Sequence, residues 1–201
     1  MPTPLRWLSA AVALTALVRT GPEPLRAQAH TGSRAPEEIR HIQSISPHSG
    51  PAGTLVSVST LNLPYEARVH VGVGAMGQGF EALTEAEQGR LGEIAVRVQV
   101  PQNVSWDRPI VFVAFNAIFA PIGMSDPFHV TDEAGRVRRV GAVASRDDDC
   151  VLFRDRDGYE YELTGSVEGL EPGEEVRIEG VFFESGACSG APVIGVSSIH
   201  R

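Results

Sequence analysis

Residues 39–59 of the chain are Ile-Arg-His-Ile-Gln-Ser-Ile-Ser-Pro-His-Ser-Gly-Pro-Ala-Gly-Thr-Leu-Val-Ser-Val-Ser. Apolar and polar residues alternate at 39–45 and again at 54–59, which is typical of β-strands with one buried face. Between these segments, residues 46–53 combine proline and glycine, which favour a turn. The stretch therefore predicts two strands with a turn between them and an all-β fold for the residues that follow.

The same pattern continues to residue 131. Further apolar segments lie at 67–73, 93–100 and 109–115, and a last one lies at 128–131. Prolines and glycines lie between them, so we expect each segment to be a short strand that ends in a turn. Six or seven short strands within about 90 residues predict a β-sandwich.

Residues 42–58 resemble the opening of an IPT/TIG domain, a family with an immunoglobulin-like fold. Later landmarks of that family follow in the same order, at Leu63-Pro64, 69–72, 98–101 and 125–130. The resemblance covers most of residues 39–131. It implies an immunoglobulin-like β-sandwich that mediates binding or spaces domains, and it implies no catalytic site.

Residues 136–201 have the pattern of a second all-β segment, with five stretches rich in apolar residues at 136–144, 149–154, 159–163, 175–183 and 191–199. Asp157-Gly158 predicts a tight hairpin turn, and five strands in about 65 residues predict a small barrel. The order of cysteines, glycines and apolar residues from Cys150 to Ile199 resembles small exported OB-like domains of bacteria. That resemblance implies a fold and leaves the function open.

The predicted fold class is all-β, with an immunoglobulin-like β-sandwich followed by a small OB-like five-stranded barrel. A step in charge supports a boundary between the two, because the excess of acidic residues over arginines is larger in 132–201 than in 39–131. The predicted organisation is a signal peptide (1–29), a linker (30–38), an IPT/TIG-like sandwich (39–131), a linker (132–135) and an OB-like domain (136–201).

Residues 1–29 have the features of a secretory signal peptide. Arg6 precedes a small apolar segment at 7–18, and an A-x-A cleavage pattern ends at Ala29. The apolar segment is too short for a hydrocarbon core of about 30 Å. An amphipathic first helix is the alternative, which the two prolines after the apolar segment disfavour. We therefore expect an exported protein, periplasmic or extracellular after cleavage near Ala29, with no transmembrane segment in its mature form.

Cys150 and Cys188 are the two cysteines of the chain. An even number of cysteines behind a signal peptide predicts a disulfide. Closing a loop of about 38 residues would contribute roughly 4 kcal/mol to stability. A redox-active or metal-binding thiol pair is the alternative, but neither a C-x-x-C motif nor a histidine at ligand spacing accompanies the two residues.

The net charge of the chain is −8, and the loss of residues 1–29 would make it more negative because they carry three arginines and one glutamate. An acidic protein is a poor ligand for the phosphate backbone or for anionic membranes. We therefore expect no nucleic-acid partner, even though OB folds often bind oligonucleotides or oligosaccharides.

Phe153, Tyr159 and Tyr161 are the candidate binding residues, because aromatic rings on the face of an OB-like barrel would stack against a glycan or a peptide. In the sandwich segment, Phe115, Phe119 and Ile122 belong either to the core or to an exposed patch for a partner.

Two patterns that suggest chemistry have simpler interpretations. Residues 72–77 match G-x-G-x-x-G, but a dinucleotide site needs this motif between a strand and a helix, so we interpret them as a glycine-rich strand exit. The acidic run at 147–149, together with Asp155 and Asp157, lacks the spacing of an EF-hand. We interpret it as a solvated hairpin end rather than a Ca²⁺ loop.

Enzyme chemistry has little support in the sequence, because its six histidines are scattered and neither H-E-x-x-H nor G-x-S-x-G occurs. We predict no catalytic residues, no metal site and no cofactor. The predicted function is a non-catalytic exported protein that acts as a binding or structural interaction module in the cell envelope, with an unknown protein or glycan partner. The alternative is a small-ligand or glycan binder that uses the aromatic face of the OB-like domain, and a hydrolase is the third hypothesis.

Overall fold

A computed structural model describes residues 40–41, 44–61, 63–64, 66, 68–75, 77–147 and 150–201. All regular elements in these ranges are β-strands, so the predicted all-β class is confirmed. No helix in the described ranges has the length and apolar character needed to cross a membrane. The predicted signal peptide, its cleavage site near Ala29 and the linker 30–38 lie outside the described residues.

Ten strands form a β-sandwich. They are β1 (Arg40–His41), β2 (Ser44–Ser46), β3 (Ser49–Pro51), β4 (Leu55–Thr60), β5 (Val69–Gly74), β6 (Phe80–Ala86), β7 (Ile94–Gln99), β8 (Val111–Phe115), β9 (Pro121–Met124) and β10 (His129–Thr131). One sheet has the order β1-β9-β8-β5-β6 and the other the order β2-β4-β7, while β3 and β10 form a parallel pair.

The core of the sandwich lies between its two sheets. Val56 and Val58 of β4 are fully buried, while the residues beside them point outward, as expected for a strand with one buried face. From the opposite sheet, the ring of Phe112 meets that of Phe128 edge-on with 6.0 Å between centroids. Apolar side chains of both sheets form one continuous cluster, which explains the alternating pattern of the sequence.

Five further strands form a closed barrel. They are β11 (Arg136–Arg146), β12 (Val151–Asp155), β13 (Glu160–Gly165), β14 (Glu175–Phe183) and β15 (Val193–His200). The order is β11-β12-β13-β15-β14, and β14 pairs back to β11. Neighbouring strands are antiparallel except β13 and β15, which are parallel. The sandwich followed by a small five-stranded barrel is therefore confirmed.

The turn predicted at Asp157-Gly158 joins β12 to β13. Gly158 has a φ of 90°, a conformation that glycine adopts without a steric penalty. The Asp155 carboxylate accepts the backbone N–H groups of Asp157 and Tyr159, each at 2.9 Å. The aspartate thus closes the hairpin and pairs backbone donors of the turn.

The predicted disulfide between Cys150 and Cys188 is also confirmed, with 6.1 Å between the two Cα atoms. Cys150 lies just before β12, and Cys188 lies between β14 and β15. The bond therefore ties two loops at the rim of the barrel.

A tight turn connects the sandwich to the barrel. One oxygen of Asp132 accepts the backbone N–H groups of Ala134 and Arg136 at 2.9 and 2.8 Å. Residues Pro36–Arg201 form one compact unit, and side chains pack across the connection. The division at 132–135 into two domains stays a prediction.

Candidate functional site

The structure places the three rings predicted to bind a ligand mainly inside the barrel. Phe153 and Tyr161 are paired across β12 and β13, and both side chains are fully buried. Tyr159 is half-buried and packs against the same core. Phe153 and Tyr161 therefore offer no ring to a ligand at the surface, because closure of the barrel places both on its inner face.

The Tyr161 hydroxyl belongs to a buried polar network. It donates to Asp155 Oδ2 at 3.1 Å and accepts from Arg139 Nε at 3.2 Å. Burial raises the pKa of Tyr161 above its ordinary value. Burial also raises the pKa of Asp155, because its effect exceeds that of the hydrogen bonds and the Arg139 charge, which lower this pKa. These groups hold the barrel together from within, since buried polar groups are stable only when paired.

Glu162, which the sequence analysis did not single out, anchors a loop to the outside of the barrel. It lies between the inward-facing Tyr161 and Leu163 on β13 and is nevertheless buried. Its carboxylate accepts backbone N–H groups of Cys188, Ser189 and Gly190, with 2.6 Å to Ser189. The loop thus covers the outer face of β13 beside the disulfide.

Two observations show how closely this loop fits Glu162. A Cβ atom on Gly186 would lie 2.1 Å from the carboxylate, so a larger residue does not fit there without movement. Burial would raise the pKa of Glu162, but the N–H donors of residues 188–190 and the Ser189 hydroxyl outweigh it and lower this pKa below its ordinary value. Glu162 is therefore a charged structural anchor.

The sandwich and the barrel meet through the loop that contains Trp106. The Trp106 carbonyl oxygen accepts hydrogen bonds from the Arg138 backbone N–H at 3.3 Å and from Arg139 Nη1 at 2.8 Å. The Arg138 guanidinium lies 4.5 Å from the centroid of the Trp106 ring and also binds Glu179 at 2.6 Å. We call this contact region the sandwich–barrel interface.

Two further contacts complete the sandwich–barrel interface. Arg108 forms a bidentate ion pair with Asp157 of the hairpin turn, with Nε 3.1 Å from Oδ2. The His129 ring, on β10, stacks on Phe182 with 4.2 Å between centroids and meets Tyr161 edge-on at 5.6 Å. The interface thus combines ion pairs near its surface with a buried histidine.

A group of apolar and aromatic side chains, three of them exposed, lies on the outer face of the five-stranded sheet. We call it the aromatic patch and define it as His70, Phe80, Phe115, Ile118 and Phe119. The His70 ring stacks on Phe119 at 4.6 Å, and Phe80 meets Phe115 edge-on at 5.9 Å. Phe80, Ile118 and Phe119 are 44%, 82% and 58% exposed, so the patch is open to solvent.

Gly74 of the G-x-G motif leaves room for Phe80 of this patch, and Gly72 leaves room for the backbone of β6. Gly72 and Gly74 lie on β5, and the chain continues into the hairpin with β6, which confirms a glycine-rich strand exit. A Cβ on Gly74 would lie 2.2 Å from the Phe80 ring, and one on Gly72 would lie 2.1 Å from the Glu81 carbonyl oxygen. The motif serves packing within the sheet.

Phe119 has an unusual backbone conformation at the tip of the β8–β9 hairpin. Its φ is 58°, a region that costs a bulky residue free energy and that hairpins of this kind usually fill with glycine. The Asn116 side chain supports the turn by accepting the N–H groups of Ile118 and Ala120 at 3.1 and 2.9 Å. Phe115, Phe119 and Ile122 were expected either in the core or in an exposed patch. Phe115 and Ile122 are buried, whereas Phe119 is exposed.

Two of the acidic residues considered for Ca²⁺, Asp155 and Asp157, have structural partners, while residues 148–149 lie outside the described residues. Asp155 binds the turn and Tyr161, and Asp157 binds Arg108. Within the described ranges, no group of three or more His, Cys, Asp or Glu side chains is arranged to hold a metal ion.

No protein-family model matches the sequence, and no match was found among curated proteins or solved structures.

Proposed function

We propose that the protein is a non-catalytic, exported interaction module that binds a protein partner in the cell envelope through the aromatic patch. The observation that carries this proposal is Phe119. This residue is 58% exposed and occupies a left-handed backbone conformation that costs about 1–3 kcal/mol. A glycine would remove that cost, so the ring has a use that the stability of the hairpin does not explain.

The composition of the aromatic patch fits a protein partner. Exposed aromatic residues are enriched at protein interfaces, where a few rings account for most of the binding free energy. Ile118 is the most exposed residue of the patch, and the Phe119 ring is held in place by its stack on His70. A ring that is already ordered loses little conformational entropy on binding.

The other unusual side chains support a non-catalytic role, because each is engaged in structure. Glu162 holds a loop, Asp155 closes a turn, and Arg139 binds carbonyl groups. Catalytic groups with shifted pKa values face a cleft where a substrate can reach them. Export is supported by the disulfide, since such bonds persist in oxidising compartments.

The glycan hypothesis depended on aromatic rings at the surface of the barrel. Two of its three rings, Phe153 and Tyr161, are inside the barrel, and Tyr159 is half-buried. We therefore favour the aromatic patch of the sandwich as the binding surface.

The experiment is site-specific photo-cross-linking in the envelope of the native host. A photoreactive residue replaces Ile118 in one variant and Leu91 in the other. Leu91 is the matched control because it is 75% exposed and lies outside the aromatic patch. We expect a heterologous product from position 118 alone.

A second change separates loss of binding from loss of folding. Phe119→Gly suits the backbone at this position, so this variant should remain folded and lose the cross-link at position 118. Equal products from positions 118 and 91, a product that survives Phe119→Gly, or no product at all would reject the proposal. A product with the mass of two copies of the chain would also reject it, because that result indicates self-association.

A further inference from the structure

The sandwich–barrel interface contains a buried histidine, His129, that forms no ion pair with the described residues. We propose that this interface is a pH-sensitive joint, in which protonation of His129 weakens the contact between sandwich and barrel while both remain folded. The proposal goes beyond the binding function and does not depend on it.

The geometry makes a positive charge on His129 unfavourable. The side chain is 3% exposed and lies against the rings of Phe182 and Tyr161 from the barrel. Its Nδ1 atom is buried and has no hydrogen-bond partner among the described residues. An imidazolium ion needs hydrogen-bond acceptors for both ring N–H groups, and the structure supplies none at Nδ1.

The charged groups around His129 make protonation still less favourable. Arg139 of β11 is 1% exposed, and its Nη2 atom also has no hydrogen-bond partner among the described residues. The nearest acid to Arg139 is Asp155, with 4.0 Å between Nε and Oδ2. A second cation would therefore share a buried region with a guanidinium whose charge is only partly compensated.

The remaining titratable groups near His129 lie toward solvent. His48, whose carbonyl oxygen accepts the His129 backbone N–H at 2.9 Å, is exposed. Asp126 and Glu184 are exposed at the rim of a cleft of about 550 Å³ that His129 and Phe182 also line. Water screens such exposed carboxylates, so they compensate a buried charge weakly.

The direction of the pH effect follows from proton linkage. Burial, with the Arg139 charge as the second cause, lowers the pKa of His129 from 6.5 to about 3 in the closed interface. Once the interface opens, water restores the ordinary pKa, so the open form binds the proton more tightly. Below pH 6.5, the equilibrium constant for opening should rise about tenfold for each pH unit, down to the pKa of the closed form.

Opening does not require either part to unfold. The sandwich and the barrel have separate hydrophobic cores, and the disulfide constrains the barrel loops. The contacts that cross the interface include pairs with an exposed edge, such as Arg108 with Asp157 and Arg138 with Trp106.

Amide hydrogen exchange followed by NMR on the full, oxidised chain tests the proposal. The Arg138 N–H reports on the interface because it donates to the Trp106 carbonyl. The Glu162 N–H, bonded to Pro192 O, reports on the barrel, and the Val100 N–H, bonded to Thr54 O, reports on the sandwich. Between pH 6.5 and 4.5 we expect the protection of Arg138 to fall about tenfold per pH unit, with the other two unchanged.

Variants assign the effect to one side chain. His129→Phe keeps a ring on Phe182 and should abolish the pH dependence at Arg138, and His129→Gln serves if the phenylalanine variant does not fold. His48→Gln and His70→Phe are matched controls, and both should retain the pH dependence of protection at Arg138. A flat profile in the unmodified chain, a dependence that persists without His129, or parallel loss of protection at all three amides would overturn the proposal.

Discussion

The Glu162 carboxylate accepts the backbone N–H of Ser189 at 2.6 Å, on the outside of a barrel wall whose inner face carries Tyr161. A charge normally faces solvent at such a position. Here the chain returns over it and supplies three consecutive N–H donors. The barrel thereby gains an ionic anchor for the β14–β15 connection, which carries Cys188 of the disulfide.

Glu162→Ala should lower the free energy of unfolding by about 2 kcal/mol, because hydrogen bonds to a charged group contribute 1.5–3 kcal/mol. Urea unfolding at pH 7 measures the loss. Glu160→Gln is the control, since Glu160 is exposed and pairs with Arg154 at the surface, where such pairs contribute about 0–1 kcal/mol. Equal losses in both variants would contradict the anchoring role.

The contribution of Glu162 should also depend on pH. Its pKa is lowered in the folded chain, so the stability it adds is complete above the ordinary value of 4.5 and is lost as pH falls through the lowered pKa. The difference in urea midpoint between the unmodified chain and Glu162→Gln should therefore shrink from pH 7 toward pH 3. A difference that is constant over this range would show that charge plays no part.

Reduction of the disulfide should destabilise the barrel by roughly 4 kcal/mol, the chain-entropy value for a loop of about this length. The double variant Cys150→Ser with Cys188→Ser should reproduce the effect without reductant. Thermal unfolding with and without a dithiol measures it. The reductant should leave the double variant unchanged, and a shift there would point to a cause other than this bond.

Phe119→Gly should leave stability unchanged or raise it by about 1 kcal/mol, because glycine adopts a positive φ without strain. Phe119→Ala, which keeps the strain and loses the stack on His70, should be less stable than the glycine variant. Urea unfolding of the two variants and of the unmodified chain decides between these outcomes. If Phe119→Gly were less stable than the unmodified chain, the ring would serve folding rather than a partner.

Gly72→Ala should destabilise the sandwich by about 1–3 kcal/mol, because overpacking forces the backbone to shift and the new Cβ would lie 2.1 Å from the Glu81 carbonyl oxygen. Gly79→Ala is the matched control, since a Cβ there meets nothing within 4 Å. Their difference in unfolding free energy tests the packing explanation of the G-x-G motif, and no difference would refute it.

Much of the architecture could be predicted from local pattern. Alternation in 54–59 and 93–100 predicts strands, because a period of two places one face against a core. Proline and glycine clusters predict the turns between them, and two cysteines behind a predicted signal peptide predict one bond. These features depend on neighbours in sequence, so the amino-acid sequence by itself determined the all-β class, the strands at the predicted segments and the disulfide. The short strand β3 inside the predicted turn at 46–53, and the strands β6 and β9, were not predicted.

The roles of individual side chains depend on contacts between distant residues. Alternation shows that Tyr161 and Glu162 point in opposite directions, but closure of the barrel decides that the ring faces inward and the return of residues 188–190 buries the carboxylate. In the same way, His129 lies beside Phe182 only because the sandwich packs on the barrel. The tertiary structure brings distant surfaces together, and burial and charge compensation are properties of those surfaces. The tertiary structure alone therefore decided which residues form the core, the aromatic patch and the interface.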